Sequence, residues 1–246
     1  ARQWLRTDSA AAEGAVDNWR YALPPMAAGN ALLSGELRDE QGLLNLNNIV
    51  INGAAGPELA ALTRLFELLE LDPRPIAALR DWIDADEDVS PGGAESQTYL
   101  ALEPAYRSAN RPLDSIENLY RIAGFDDKII ATITPYVAVL PQATALNLNT
   151  APLHVLAARF SLPLDEAKAL AESRRTRRFE NLADFVARVP AAYQNQIGDA
   201  AKLTFKSEYF AAVSTAQVGA ARVSYRALLQ RTAAGTRIDW VRLGES

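Results

Sequence analysis

The 246-residue sequence contains no cysteine and only one histidine, His154. The lack of cysteine excludes disulfide bonds and thiol chemistry, and a triad or zinc site built on histidine would have to use His154. His154 follows Pro152 with no acid beside it, which predicts a surface or half-buried helix position. The motifs G-x-S-x-G, G-x-G-x-x-G and the Walker loop are also missing. The sequence therefore disfavours an enzyme.

The sequence also lacks a run of about 18 apolar residues, the length that would cross a bilayer, and it lacks a signal peptide. It opens as a helix already in progress, which reaches about Tyr21 before Pro24 and Pro25 end it. We therefore expect that a further segment preceded Ala1. The net charge of −5 makes nucleic acids and acidic membrane surfaces poor default partners.

The middle of the chain is predicted to be helical, and its end is predicted to form strands. Apolar residues recur at helical spacing after Pro57, and Pro73 and Pro75 separate that helix from the next. Segment 221–231 and segment 236–243 alternate in polarity, which predicts two or three antiparallel strands in the tail. A hairpin is predicted around an Asp-Glu-Gln-Gly turn between Leu37 and Leu43.

An internal repeat suggests how the domains are arranged. The sequence LNLNN at 44–48 and the sequence LNLNT at 146–150 each precede a leucine-rich helix. Further on, Asp114 is predicted to cap a helix whose apolar face includes Tyr120. Because predicted strands lie before and after two related helical modules, we expect an α+β fold with an inserted helical block. Residues 1–52 and 204–246 would form the α/β domain, and residues 53–203 would form the insertion.

An acidic segment is the most distinctive feature of the chain. The residues Asp81, Asp84, Asp86, Glu87 and Asp88 fall within eight positions, and Pro-Gly-Gly and Glu95 follow them. If Asp84 is position one, then Asp86, Asp88 and Glu95 are positions three, five and twelve, which is the ligand spacing of an EF-hand. Position six is Val89 and not glycine, so we expect a loop calcium site of another kind.

Four acids are the candidate calcium ligands from this segment: Asp84, Asp86, Asp88 and Glu95. Gln97, Asn110 or backbone carbonyls are candidates to complete the shell. Two alternatives stay open at this point. One is a solvated acidic loop, and the other is a catalytic pair of carboxylates, which the crowding of the acids disfavours.

A basic cluster and a helical hairpin raise the question of DNA. The sequence RRTRR at 174–178 favours cations at a helix C-terminus, with phosphate binding as the alternative. Segment 146–189 resembles helix-hairpin-helix DNA-binding modules of the competence-protein type. Its hairpin, FSLPLDE, has no glycine and places Asp165 and Glu166 where phosphate would bind. A helix-hairpin-helix DNA-binding protein is therefore the alternative function, and we expect no nucleic acid partner.

Four segments in order resemble the minor pseudopilin K family of type II secretion systems. They are DEQGLLNLNN, DWIDADEDVSPGGAESQTY, PAYRSANRPLDSIENLYRIAGF and LNLNTAPLHVLAA. The resemblance implies a pilin-like domain, with an N-terminal helix and an antiparallel sheet, that carries a large insertion of two SAM-like or helix-hairpin-helix-like modules. It implies Ca²⁺ at the acidic segment. Ser96 stands where relatives often carry another acid, which argues against a second ion.

The resemblance also implies a function in assembly. The family caps the tip of the pseudopilus with minor pseudopilins I and J, and minor pseudopilin H and secreted substrates are further candidate partners. An N-terminal helix that this sequence lacks would anchor the protein in the bacterial inner membrane and leave the rest in the periplasm. Trp4, Leu5 and Trp19 are the candidate partner-binding residues on the opening helix.

Overall fold

The computed structural model describes residues 22–244 and combines helices with an antiparallel sheet. Its strands are β1 (Leu23–Ala28), β2 (Ala31–Asp39), β3 (Leu44–Asn45), β4 (Val50–Ile51), β5 (Ala54–Ala55), β6 (Val137–Ala138), β7 (Leu146–Asn147), β8 (Leu203–Thr204), β9 (Tyr209–Val218), β10 (Ala221–Thr232) and β11 (Gly235–Gly244). Its α-helices are α1 (Pro57–Leu68), α2 (Pro75–Ile83), α3 (Ser96–Leu100), α4 (Asp127–Ile133), α5 (Leu153–Phe160), α6 (Leu164–Thr176) and α7 (Leu182–Arg188). The predicted opening helix, with Trp4, Leu5 and Trp19, lies outside the described residues.

The largest sheet has five antiparallel strands in the order β1-β2-β9-β10-β11. The prediction of antiparallel strands in the tail is therefore confirmed. Strand β2 ends at Asp39 and its neighbour β9 begins at Tyr209, so every α-helix among residues 22–244 lies in the chain between these two strands. The chain thus leaves the sheet and returns to it between neighbouring strands.

The predicted position of the first hairpin turn is wrong. The hairpin joins β1 to β2 through Gly29 and Asn30, and Gly29 has the positive φ of +62° that such a turn needs. After β2, the Asp39 carboxylate accepts a hydrogen bond from the Gln41 amide at 2.8 Å, which turns the chain out of the sheet. Residues 44–45 then pair with β6, in parallel.

The helical block has its own apolar core, and the helical spacing identified much of it. Leu62, Leu65 and Phe66 of α1 are buried as expected, and α1 packs against α5. Leu44 and Ile49, which the predicted boundaries assign to the other domain, also lie in this core. The boundaries themselves stay a prediction.

The two repeats make the same hydrogen bonds. The side chain of Asn47 donates to the Leu113 carbonyl at 3.0 Å and accepts from the Leu113 amide at 2.8 Å. The side chain of Asn149 makes the same pair of bonds with Phe179, at 2.9 and 2.8 Å. Each asparagine side chain therefore pairs with both the N–H and the C=O of one backbone residue, as a neighbouring strand would. This shared role explains why the two repeats have the same asparagine spacing.

The predicted cap at Asp114 is wrong by one residue. Ser115 caps a 3₁₀-helix at Ile116–Arg121 through a capping box with Asn118. Tyr120, which was predicted to lie on the apolar face, is 56% exposed. The tighter 3₁₀ winding turns positions 116, 119 and 122 inward, and it leaves position 120 on the outside.

A buried acid lies in the region where α1 and α5 pack. Glu58 is 2% exposed, and one of its carboxylate oxygens has no hydrogen-bond partner. Burial raises the pKa of Glu58 to about 7, against the lowering effects of the Asn48 side chain and the Arg159 charge.

We expect the substitution Glu58→Gln to change how stability depends on pH. Because the pKa of Glu58 rises from 4.5 to about 7 on folding, the unfolded chain loses this proton first. The free energy of unfolding of the wild type should then fall as the pH rises through that window. Glu58→Gln should remove the fall and stabilise the protein by about 1–3 kcal/mol at pH 8. Urea unfolding from pH 5 to 8 measures this, with the exposed Glu172→Gln as control; equal slopes in all three proteins would contradict it.

Candidate functional site

The acidic loop, residues 84–95, is an insertion in the first of the two repeats. Residues 84–112 separate α2 from Leu113 in the first repeat, whereas only residues 177–178 separate α6 from Phe179 in the second. The loop begins at the C-terminal end of α2 and ends where α3 begins. The fold therefore presents this loop as an addition to a scaffold that closes without it.

The predicted ligands divide into buried and exposed residues. Asp84 is 8% exposed and Glu95 is 2% exposed, so both carboxylates lie inside the loop. Asp86, Asp88 and Gln97 are exposed. The spacing thus identified two acids that share a buried environment, and it also selected three side chains on the surface.

Asp81, on the last turn of α2, belongs to the same buried group. Its residue is 0% exposed, and one carboxylate oxygen accepts from the Ser90 amide at 3.1 Å. A Cβ placed on Gly93 would lie 1.9 Å from that same oxygen, so only glycine lets the loop pass over the carboxylate. The Pro-Gly-Gly sequence therefore curls the loop around Asp81. The ligand spacing did not select Asp81. Its position between buried residues of a short amphipathic helix was nevertheless a signal that it would be buried.

Four oxygens of this region are buried and have no hydrogen-bond partner among the described residues. They are Oδ1 of Asp81, Oδ1 of Asp84, Oε1 of Glu95 and Oδ1 of Asn110. Buried polar atoms in folded proteins nearly always have a partner, because leaving one unpaired costs about 1–3 kcal/mol. Three of these four unpaired atoms belong to carboxyl groups, so this region leaves more buried oxygens without a donor than a folded protein usually does.

Hydrogen bonds hold the outer side of the loop in place. Ser96 Oγ donates to Glu87 Oε1 at 3.0 Å, and Ser108 Oγ donates to Glu95 Oε2 at 2.8 Å. The two hydroxyls are 2.9 Å apart. The second oxygen of Glu95 is therefore already satisfied, and only its Oε1 is left for another partner.

Asn110 joins the loop from a distant part of the chain. Its amide donates to the Asp86 carbonyl at 2.6 Å and to Glu87 Oε1 at 3.3 Å. Its backbone has φ of +46°, a conformation that asparagine tolerates better than most residues. Asn110 therefore lies at the loop, and its unpaired Oδ1 is an oxygen of the kind that binds hard cations.

Burial and crowding of negative charge raise the pKa values of two acids in the loop. Burial, the largest cause, and the neighbouring charges of Asp86 and Asp81 together raise the pKa of Asp84 to about 6. Burial is also the main cause of the raised pKa of Glu95, to which Asp81 and Asp84 add. Arg80 is the cation that partly offsets these effects on Asp84.

These residues have the chemistry of a calcium site without a finished coordination geometry. Within residues 22–244, no group of three or more acidic or histidine side chains is arranged so that it could hold a metal ion. The donors are nevertheless carboxylate and amide oxygens, the ligands that Ca²⁺ prefers, and the loop holds several of them unpaired. Calcium binding stays a prediction, and the types of donor atom present agree with it.

The other candidate sites have structural roles. Arg174 of the basic cluster donates to the carbonyls of Leu148 and Ala151, and Arg177 pairs with Asp184 at 2.8 Å. Two of the predicted solvated cations therefore brace the second repeat. His154 is half-buried and lies against Tyr136, with the ring centroids 5.0 Å apart.

The helical hairpin between α5 and α6 turns at Ser161, which has φ of +50° where a DNA-binding hairpin would have glycine. Asp165 and Glu166 occupy the first turn of α6, next to that hairpin. Carboxylates at this position repel phosphate, which agrees with the expectation that nucleic acid is not a partner.

Comparisons with known proteins give a consistent result. Two family models described as type II secretion system protein K match residues 42–142 and 146–205. Type II secretion system protein K of Klebsiella pneumoniae is 33% identical over 232 residues, which cover 88% of this chain and 71% of that protein. This chain belongs to the type II secretion system protein K family.

Other members of the protein K family extend the comparison. The protein K of Aeromonas hydrophila is 30% identical over 235 residues, which cover 87% of this chain and 71% of that one. The crystal structure of the GspK-GspI-GspJ complex from enterotoxigenic Escherichia coli contains a chain of the same fold. Its TM-score is 0.85 at 23% identity, and the match covers 96% of this chain and 88% of that one. In this protein K, the helices between residues 22 and 244 are too short or too polar to cross a membrane.

We expect Gly93→Ala to disturb the acidic loop through Asp81. The added methyl group would overlap Asp81 Oδ2, so we expect a loss of about 1–3 kcal/mol in urea unfolding. The neighbouring Gly92→Ala is the control, since it meets no atom within 4 Å and costs only the strain of its φ of +79°. In Asp81→Ala, adding Gly93→Ala should cost clearly less. A Gly93→Ala protein as stable as the wild type would refute this account of the loop.

Proposed function

We propose that this protein K is a minor pseudopilin that caps the tip of the type II secretion pseudopilus. In this role it assembles with minor pseudopilins I and J and supports export of folded proteins across the outer membrane. Membership of the family supports the proposal, and so does the solved complex in which GspK, the relative of the same fold, is joined to GspI and GspJ. The role is one of assembly and not of catalysis.

The position of the helical block is the observation that carries this proposal. The block lies in the chain between β2 and β9, which are neighbours in the sheet, and so it widens the molecule at one place. In a filament built from sheet domains around a bundle of helices, a subunit of that width clashes with neighbours along the shaft. At the end of the filament it has room.

A pilin-like arrangement, with an N-terminal helix packed on the sheet, is the finer part of the proposal. Adjacent residues of β10 face opposite sides of the sheet, and Leu228 packs on Leu140 of the block, whereas Leu229 clusters with Leu37 and Phe210. The latter side continues as an apolar groove of about 360 Å³. Small residues line the groove, and exposed Met26, Leu33 and Tyr225 flank them.

We assign this groove to the opening helix, whose residues Trp4, Leu5 and Trp19 would be left to bind the partner pseudopilins. The helical block would comprise the two SAM-like or helix-hairpin-helix-like modules, and the repeated Asn47 and Asn149 hydrogen bonds support that description. The protein would lie in the periplasm and be anchored in the inner membrane. Minor pseudopilin H and secreted substrates would contact the assembled tip.

Calcium bound at the acidic loop completes the proposal. The unpaired oxygens of Asp81, Asp84, Glu95 and Asn110 are the donors on which it rests, and the ion would supply the positive charge that the loop lacks. The exposed Asp86, Asp88 and Gln97 remain candidates to complete the shell. By gathering the loop, the ion would stabilise the first repeat.

Calcium should raise the melting temperature of the wild type relative to chelator. Free ion at about a hundredfold over its Kd stabilises by about 2.7 kcal/mol, which corresponds to roughly 5–10 °C for a chain of this size. Asp84→Asn should lose this response. In chelator at pH 8 it should melt above the wild type, because burial and neighbouring acids raise the pKa of Asp84 to about 6 and the substitution removes this unfavourable charge.

The control for this melting experiment is Glu172→Gln, an exposed acid on α6. That variant should respond to calcium as the wild type does. If the wild type showed no shift in millimolar calcium, the calcium proposal would fail without affecting the assembly proposal.

The assembly proposal predicts a complex of one protein K with one I and one J. Mixing this chain with the matching I and J domains lacking their membrane segments should give that species in light scattering. Trp4→Ala and Leu5→Ala should weaken it by about tenfold or more, since large apolar side chains dominate such interfaces. Tyr120→Ala, on the exposed surface of the helical block, is the control. Three separate species at micromolar concentration would reject the proposal.

A further inference from the structure

The sheet and the helical block share little apolar contact. Their cores are distinct, one around Leu62 and Leu65 and the other around Leu37 and Phe210. Between them lies a small cluster of Ala138, Leu140, Tyr209 and Leu228, with Leu43 and Trp240 packed against it. A contact of this size leaves two parts of a protein free to move or to unfold separately, unless something else joins them.

A polar hub, centred on Asp39, lies where the chain leaves the sheet and where it returns. Asp39 Oδ2 accepts from Ser207 Oγ at 2.7 Å, from Asn147 Nδ2 at 3.1 Å and from Thr150 Oγ1. Asp39 Oδ1 accepts from the Gln41 amide at 2.8 Å. One carboxylate therefore holds the end of β2, the second repeat and the segment that leads into β9.

Gln41 reinforces this hub on both sides. Its Nε2 donates to the Ala145 carbonyl at 3.1 Å, and its Oε1 accepts from the Tyr209 amide at 3.1 Å. Its own carbonyl accepts from the Asn147 amide at 2.8 Å. The three chain segments are thus cross-linked by hydrogen bonds among buried groups, where such bonds are strongest.

The internal repeat supplies a natural comparison. Asn45 and Asn147 are equivalent, since each accepts from the amide two residues ahead, at 3.2 and 2.9 Å. The amide group of Asn45 donates to the Gln142 carbonyl and to Thr144 Oγ1, which both lie inside the helical block. The amide group of Asn147 donates instead to Asp39 and to Ser207 Oγ, at the margin of the sheet. The equivalent asparagine therefore stabilises the helical block in the first repeat, whereas in the second repeat it bonds the junction with the sheet.

We propose that Asp39 couples the sheet to the helical block, so that the two parts behave as one body only while its carboxylate holds Asn147, Thr150 and Ser207. This coupling acts on the whole tip-forming chain and does not depend on calcium. Among residues 22–244, the Asp39 carboxylate joins the end of β2 to both Asn147 and Ser207, and the neighbouring Gln41 adds bonds between the same segments.

The substitution Asp39→Asn tests the hub with minimal change in shape. An amide in place of the carboxylate must point its donor either at the Gln41 amide or at Asn147 Nδ2, and both of these groups are themselves donors. At least one bond of the hub is then replaced by an opposed pair of donors. Asn147→Ala removes the same connection from the other side, and Asn45→Ala is the matched control.

Hydrogen exchange measured by mass spectrometry on the full chain, in excess calcium, reads out the coupling. In Asp39→Asn and Asn147→Ala, amides of the junction at Asn147 and Tyr209 should exchange about tenfold faster or more, while α1 and β10 keep their protection. In Asn45→Ala, protection should fall throughout the helical block, and the junction amides should lose no more protection than the rest of the block. No selective loss at the junction in the first two variants, or the same selective loss in all three, would overturn the proposal.

Native-state exchange of the wild type provides the second measurement, should a variant fail to fold. Across a series of low urea concentrations, the Asn147 and Tyr209 amides should exchange only through global unfolding, with the same urea dependence as Leu65 in the core. If these junction amides opened through a smaller event than the core does, Asp39 would not couple the two parts, and the proposal would be wrong.

Discussion

A buried carboxylate needs a partner, and the ways in which this chain meets that requirement organise the whole structure. At the junction, Asp39 has four hydrogen-bond donors, and next to it Glu40 has Arg226 at 3.0 Å. At the acidic loop, Asp84 and Glu95, together with Asp81 of the adjoining α2, are buried with one carboxylate oxygen each unpaired. Because desolvating charge costs several kcal/mol per ion, the first arrangement stabilises the junction, and we propose that a cation offsets the cost of the second.

The two repeats show how one scaffold takes on two tasks. Both close with an asparagine that pairs with a backbone segment, through Asn47 in the first repeat and Asn149 in the second. The first repeat then carries the acidic loop as an insertion between its helices, whereas the second turns Asn147 towards the sheet. The acidic loop and the hydrogen bonds to the sheet margin therefore belong to different copies of the same module.

Local sequence patterns predicted the elements well, and they failed where a distant part of the chain decides the outcome. The burial of Leu62, Leu65 and Phe66 follows from helical spacing, and the strands of the tail follow from alternation. The hairpin predicted after Leu37 was wrong because Asp39 bonds residues more than a hundred positions away, and the chain leaves the sheet there instead of folding back on β2. Ligand spacing within the loop found Asp84 and Glu95 but not Asp81, whose burial depends on the loop folding back over α2.

The most direct test of the account is a high-resolution crystal structure of this chain grown with calcium. We expect one ion bonded at about 2.3–2.6 Å by oxygens of Asp81, Asp84 and Glu95, with the Asn110 oxygen turned towards it. Ordered water molecules bonded to those oxygens in place of an ion, or carboxylates turned outwards into solvent, would contradict the claim that the loop is built around a missing positive charge.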